Sequence, residues 1–418
     1  MSTALTDVRV VALEQAVALP YATFLLAEMG ADVIKVEPPG GDVIRGWDSA
    51  VGGLSTGFVW LSANKRDIAV DLSADAGREV VLRLAATADV FVENFAPGVM
   101  DRLGLSYQRL SASHHGLVYA SLSGYGQNGP YHDVKAYDLL IQGEAGLLAS
   151  TGSAESPAKI GPPVTDLIGG SAAAFAILAA LHERARTGHG RYLDVSMFDA
   201  SVLWLGYYPQ HYWHGGGEPP RSGLRHQYLC PYGPYLASDA EYVNLVVASD
   251  NDWTRFCELV VGRPDWLHDQ RFSTIAARRT HRPLVEAAIE QVIASKPSAY
   301  WLARLKAAGL PHGRLRSIGS VLRHPQLIAR RLVAKADSPV GEIPLIRFPL
   351  AGDQPRHVPA YSEHRAAVLA EAGYGDDEIA ELAASGVTPT APAARRGPRE
   401  HAPANRRCEG DDSRFPAQ

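Results

Sequence analysis

With 418 residues, 46% of them hydrophobic and 20% charged, the chain is long and apolar enough for roughly two or three domains and a sizeable core. Its formal charge of −5 argues against a nucleic-acid partner, which would call for a basic face. Three scattered cysteines, Cys230, Cys257 and Cys408, exclude a disulfide framework and a clustered zinc site and fit a reducing, cytoplasmic setting.

In chain order, Asp7 and Arg9 interrupt any apolar leader. Residues 8–13 are a β-branched run that predicts a strand. Residues 20–29 have helical composition with Pro20 in the first turn, and Gly30 is placed as a stop. Residues 32–37 alternate as a strand does, which completes a βαβ unit. A second unit is predicted from a strand at 67–72, a helix at 74–86 and a strand at 89–93, with a further strand at 117–122. This alternation predicts a parallel sheet flanked by helices. Loops at 38–42, 94–98 and 123–130 follow strands, which is where ligands bind in open α/β sheets.

The most apolar stretch, 167–181, is bounded by Asp166 and by His182-Glu183-Arg184. It is too short to span a bilayer and predicts a core helix running to about Arg186, with no membrane partner. A strand at 191–195 follows. Beyond Trp204 the chain turns rich in Tyr, His, Gly and Pro. A strand at 242–248 and helices at 252–260, 281–295 and 298–308 predict a smaller α+β domain. A strand at 344–351 and helices within 362–384 return to the large one. The divisions are 1–205, 206–330 and 331–386, with a tail at 387–418 whose Pro, Ala and Arg content predicts disorder.

Common motifs fail on context. Gly124-Tyr-Gly-Gln-Asn-Gly129 has dinucleotide spacing but opens no apolar helix. Gly53-Leu-Ser-Thr-Gly57 follows no strand. What remains is Gly161-Pro-Pro-Val-Thr-Asp166-Leu-Ile-Gly-Gly170, a stiff approach that delivers a carboxylate to a helix entrance. The helix terminus would keep Asp166 ionised as a nucleophile, and Gly169-Gly170 would let a ligand come close. The plain alternative is a helix N-cap.

Several segments then occur in a fixed order. They are Leu25-Leu-Ala-Glu-Met-Gly-Ala-Asp-Val-Ile-Lys-Val-Glu37, Asn64-Lys-Arg-Asp-Ile-Ala-Val-Asp-Leu72, Val92-Glu-Asn-Phe-Ala-Pro-Gly98, Ser121-Leu-Ser-Gly-Tyr-Gly-Gln-Asn-Gly-Pro130, Lys135-Ala-Tyr-Asp-Leu-Leu-Ile-Gln142 and Thr187-Gly-His-Gly-Arg-Tyr-Leu-Asp-Val-Ser-Met-Phe-Asp199. Over about residues 5–385 the chain resembles the class III CoA-transferases of the CaiB/BaiF superfamily. The resemblance implies a Rossmann-like large domain and a smaller α+β domain in a ring-shaped chain, two copies of which interlock as a homodimer. It implies transfer of coenzyme A between carboxylic acids, with acyl-CoA as substrate and no permanently bound cofactor.

Carried over by position, the resemblance makes Asp166 the nucleophile and Asp138 the acidic residue beside it. Asn94, Phe95 and Ala96 lie by the CoA, Arg102 meets its phosphates, and Val70, Asp71, Leu72 and Ser73 form a backbone stretch near the nucleotide. Lys135 and Tyr137 fall near the pantetheine. Val17 stands where formyl-CoA transferases have Gln, Pro38 replaces an Arg of that group, and Leu224-Arg-His-Gln227 replaces its four glycines. These departures argue against formyl and oxalate substrates, and the shorter middle region resembles the transferases of succinyl-CoA-like or other dicarboxylic thioesters, with Arg225 and His226 binding a second carboxylate.

Each residue has a plainer reading. Arg102 would be a surface ion pair, Phe95 core, Lys135 solvated, Asp138 a first-turn charge and His226 a hydrogen-bonded structural residue. One alternative activity is an acyl-CoA racemase, but that group resembles this chain with a His at the Tyr137 position, and a phenol is a poor base near neutrality. The other is a CoA-binding protein without catalysis, which would not need Asp166.

Overall fold

The computed structural model describes residues 4–352 and 356–393. Six parallel strands form its main sheet: β1 Arg9–Leu13, β2 Asp32–Glu37, β3 Lys65–Ala69, β4 Val90–Glu93, β5 Val118–Ser123 and β6 Tyr192–Ser196. Their order is β3-β2-β1-β4-β5-β6. β1, β4 and β5 are buried on both faces, which is why they read as apolar runs. Val10 and Ala12 point into one core, shared with the helices Ala18–Glu28 and Val164–Thr187. Val11 and Leu13 point into the other, shared with the helix Asp75–Ala86. The strand order reverses between β1 and β4, where Leu13 pairs with Glu93. Reversal opens a crevice at the carboxyl ends of these two strands.

Most predicted elements are present within a residue or two. β3 is shifted back from 67–72 to Lys65–Ala69. Lys65 and Asp67 at its start are charged yet buried, which an alternation of polar and apolar residues cannot reveal. Residues 71–73 form a turn instead, with Asp71 Oδ1 accepting from the Ser73 N–H at 2.9 Å and from the Ser73 hydroxyl at 2.6 Å.

The apolar helix is longer than expected. It runs 24 residues, Val164–Thr187, and by length and composition is long enough to cross a membrane. Ile168, Gly169, Gly170, Ala173, Ala174, Ile177 and Ala180 form its buried stripe, as in a core helix. Small residues there let it lie close to Ala18–Glu28.

A second sheet of three antiparallel strands, β7 Tyr232–Leu236, β8 Tyr242–Val246 and β9 His312–Arg314, has its own core. Tyr235, Val243, Leu245, Trp253, Phe256, Trp266, Ile289 and Trp301 are buried there. After a two-stranded ribbon, Val333–Ala336 with Ile343–Ile346, the chain rejoins the main sheet. Val368, Leu369, Ile379 and Leu382 pack into the same core as Val11 and Leu13.

The expectation of disorder from residue 387 is corrected at its start. Val387 and Thr388 are buried, the Asp71 N–H donates to the Val387 carbonyl at 2.8 Å, and the Ala393 N–H donates to Pro39 at 2.9 Å. Backbone pairing and two buried side chains order this piece despite its composition. The rest of that tail, Cys408 included, lies outside the described residues.

Candidate functional site

Loops at the carboxyl edge of the sheet converge where β1 and β4 end. Asn94, the first residue after β4, is doubly bonded to the loop after β1. Its Oδ1 accepts from the Gln15 N–H at 3.0 Å and its Nδ2 donates to the Gln15 carbonyl at 2.9 Å. Glu93 is buried, accepts from the Phe95 N–H at 2.8 Å and takes a hydrogen bond from the Ser121 hydroxyl, which also accepts from Gln127. Burial pushes the Glu93 carboxyl up to about 7. The loop 94–97 is thus tied to β1 on one side and to the glycine-rich loop after β5 on the other.

Asp166 lies in the first turn of Val164–Thr187, after Pro162 and Pro163, and is partly buried. The neighbouring helix Asp138–Glu144 is locked to this turn. Asp138 Oδ1 accepts from the Thr165 N–H and from the Thr165 hydroxyl, both at 2.9 Å, and Oδ2 accepts from Gln142 at 2.8 Å. Gly169 and Gly170 do not leave room for a ligand, which corrects that expectation. A methyl at Gly170 would overlap the Ala18 carbonyl oxygen, and one at Gly169 would lie 2.9 Å from Met197 Cγ. It is the protein's own backbone that comes close. Asp166 sits one turn before Gly170 on the same helix face, the face that meets the Ala18 carbonyl.

The expectation that the helix terminus keeps Asp166 fully ionised is also corrected. Burial, and then the charge of Asp138, push its carboxyl up to about 7. A nucleophile must be ionised, so attack on a thioester should strengthen as pH rises and level off above about 7. Asp138→Asn keeps an acceptor for Thr165 but removes the charge. The rising limb of kcat/KM for the donor should then move to lower pH. An unmoved limb would show that Asp138 does not act on Asp166.

The other predicted residues are placed unevenly. Val17 and Val70 have buried side chains, so only their backbone can meet a ligand. Leu72 is partly buried and Ser73 exposed, and Arg78 pins this stretch by donating to the Leu72 carbonyl at 2.9 Å and the Ser73 carbonyl at 3.0 Å. Phe95 is partly buried and Ala96 exposed. Arg102 is exposed and lines a cleft of about 380 Å³ with Arg78 and Arg109, beside Asp75, Glu79 and Asp101. Arg78 and Arg109 carry no motif of their own. Only the fold brings them to Arg102. Lys135 and Tyr137 are exposed just ahead of Asp138.

Arg225 and His226 are not brought to this edge. Arg225 belongs to the second unit, where it pairs with Glu286 at 3.3 Å and Glu290 at 2.9 Å and donates to the Pro234 carbonyl at 2.7 Å. His226 Nδ1 accepts from the Tyr228 and Leu229 N–H groups at 3.1 and 3.2 Å, and its ring stacks on Tyr232. Both hold structural contacts within the second unit.

Among the described residues one group of metal-ligand type, His357, Glu363 and His364, has its atoms within 4.8 Å of one another. His364 Nδ1 accepts from the Asp67 N–H at 3.2 Å, which leaves the proton of a neutral ring on Nε2. The trio is better matched to hydrogen bonding than to an ion.

The family description that matches the chain is CoA-transferase family III, over residues 5–365. An acetyl-CoA:oxalate CoA-transferase of Acetobacter aceti is 36% identical over 320 residues, covering 76% of this chain and 82% of that one. A succinyl-CoA:mesaconate CoA-transferase of Haloarcula hispanica is 34% identical over 89% of this chain and 97% of its own length. A solved CaiB/BaiF family protein from Brucella suis is 34% identical and superposes with a TM-score of 0.79 over 89% of this chain and 100% of that one.

Proposed function

The chain belongs to CoA-transferase family III, and from that premise we propose that Asp166 carries coenzyme A from an acyl-CoA donor to a carboxylic acid acceptor. One observation supports this reading: a partly buried carboxyl, raised to about 7 by burial and by the charge of Asp138, lies in the first turn of the helix whose Gly170 faces the Ala18 carbonyl. The ionised carboxylate attacks the donor thioester carbonyl, expels CoA thiolate and becomes a mixed anhydride. The thiolate attacks the aspartyl carbonyl, which releases the donor acid and leaves an aspartyl-CoA thioester. The acceptor carboxylate attacks that carbonyl, again expelling thiolate. Thiolate then attacks the acceptor's acyl carbon, forming the new acyl-CoA and restoring Asp166. Anhydride and thioester are close in reactivity, so the donor's energy is kept as long as water is excluded.

CoA and acyl-CoA enter as substrates rather than as a resident cofactor. Arg102, with Arg78 and Arg109, meets the phosphates, for which guanidinium groups are suited. Asn94, Phe95 and Ala96 flank the pantetheine, with Lys135 and Tyr137 nearer the nucleophile and the 70–73 backbone by the nucleotide. The ring-shaped chain, its division at 205, 330 and 386, the interlocked homodimer and the cytoplasmic setting belong to the same proposal.

The acids are dicarboxylic. Relatives are named for mesaconate, for glutarate and for oxalate. Oxalate therefore stays among the acceptors to be tried, although Val17 and Pro38 differ from the formyl-CoA transferases. The test is a panel of acetyl-, succinyl- and formyl-CoA against mono- and dicarboxylic acids, read as new CoA thioesters. A new thioester with a dicarboxylate and none without acceptor is expected. Exchange of the donor's α-proton in heavy water with no transfer would instead make the protein a racemase.

A further inference from the structure

Beneath the loop after β1 lies a set of fully buried charges. Lys65 Nζ donates to Glu14 Oε1 at 2.6 Å, to Thr23 Oγ1 at 2.7 Å and to the Pro20 carbonyl at 2.9 Å. Lys35 Nζ donates to Asp42 Oδ2 at 2.7 Å and reaches Glu14 Oε1 at 3.4 Å. All four side chains are at most 1% exposed. Buried ion pairs are a poor source of stability, because desolvation offsets their attraction, and similar volumes of apolar side chain would serve the core as well. Such a set is better read through what it holds in place.

It holds the loop. Asp42 Oδ1, the oxygen turned away from the Lys35 contact, accepts from the Ala16 N–H at 3.1 Å and from the Ile44 N–H at 3.2 Å. Ala16 has a φ of +61°, a left-handed conformation that an alanine adopts only under constraint. Gln15, just before it, is the residue clamped by Asn94. Val17, just after it, precedes the helix Ala18–Glu28, whose first carbonyl is pressed against Gly170. Three consecutive backbone residues are thus fixed from two sides, just ahead of the Ala18 carbonyl that faces Gly170, and Gly170 lies one helix turn after Asp166.

We propose that Asp42, oriented by Lys35, is a positioning residue for CoA transfer: it holds Ala16 in its left-handed conformation and so sets the Gln15–Val17 backbone opposite Asp166. The proposal rests on the reading of Asp166 as the reacting carboxylate. Asp42 does not touch the substrate. It acts through the loop, as a support that keeps the reacting groups aligned.

The test compares folded Asp42→Ala and Asp42→Asn proteins, with and without Ala16→Gly, in full steady-state kinetics. Asp42→Ala should lower kcat by roughly 10- to 100-fold with less than about a threefold change in donor KM. Asp42→Asn keeps one oxygen, to be shared between Lys35 and the Ala16 N–H, and should lose less than Asp42→Ala but not match the parent. Ala16→Gly, which removes the Cβ that disfavours this backbone conformation, should restore part of the kcat lost in Asp42→Ala. If Asp42→Ala does not fold, the Asn variant and its Ala16→Gly partner carry the comparison. Unchanged kcat, or equal losses that Ala16→Gly does not move, would overturn the proposal. Asp166→Ala assayed in parallel separates the two readings. Turnover there defeats the assignment of the nucleophile, whereas an inactive Asp166→Ala beside unaffected Asp42 variants defeats only the positioning role.

Discussion

Replacing Asp166 by alanine is expected to lower CoA transfer by on the order of 10⁴-fold or more while CoA still binds. The size follows from the role. Every covalent intermediate passes through this carboxylate, and removing a nucleophile costs far more than removing a group that only steadies charge. Binding survives because the cleft of Arg78, Arg102 and Arg109 and the loop at 94–97 stand on other elements. The two measurements are turnover with a saturating donor–acceptor pair and calorimetric titration with CoA. Turnover within tenfold of the parent would refute the role of Asp166. Loss of CoA binding together with activity would show instead that the substitution damages the site as a whole.

The second large effect is expected one turn along the same helix. In Gly170→Ala the new methyl overlaps the Ala18 carbonyl oxygen and crowds the Tyr21 ring and the Ala22 backbone. The obstacle is backbone, which cannot step aside by changing rotamer. The helices Ala18–Glu28 and Val164–Thr187 must separate, and overpacking of this kind costs about 1–3 kcal/mol. Separation also shifts Asp166 relative to the Gln15–Val17 loop, so kcat should fall roughly 100-fold. Thermal melting and steady-state kinetics together read this. A protein that loses stability but keeps its kcat would show that helix spacing does not govern the alignment of Asp166.

Much of this was legible in the sequence because it depends on neighbours along the chain. β1 announces itself by an apolar run and β2 by alternation, the helix Ala18–Glu28 by Pro20 and Gly30, and the Asp166 turn by its two prolines. The rest depends on partners far apart in sequence. Lys65 is a buried strand residue only because Glu14, in the loop just after β1, neutralises it. Arg225 meets Glu286 and Glu290, about sixty residues further on, only through folding. The two glycines after Asp166 signalled close approach correctly, but the approaching group proved to be the protein's own helix. The raised pKa of Asp166 needs both burial and Asp138, which lies on a separate helix. Arg78 and Arg109 join Arg102 only across a cleft between elements.

The most direct test is to catch the covalent intermediate. The enzyme is incubated with donor acyl-CoA without acceptor, treated with hydroxylamine, digested and mapped by mass spectrometry. An aspartyl-CoA thioester or aspartyl anhydride at residue 166 is converted to a hydroxamate there, and the label is absent from Asp166→Ala. A hydroxamate on another residue, or its persistence in Asp166→Ala, would contradict transfer through this carboxylate.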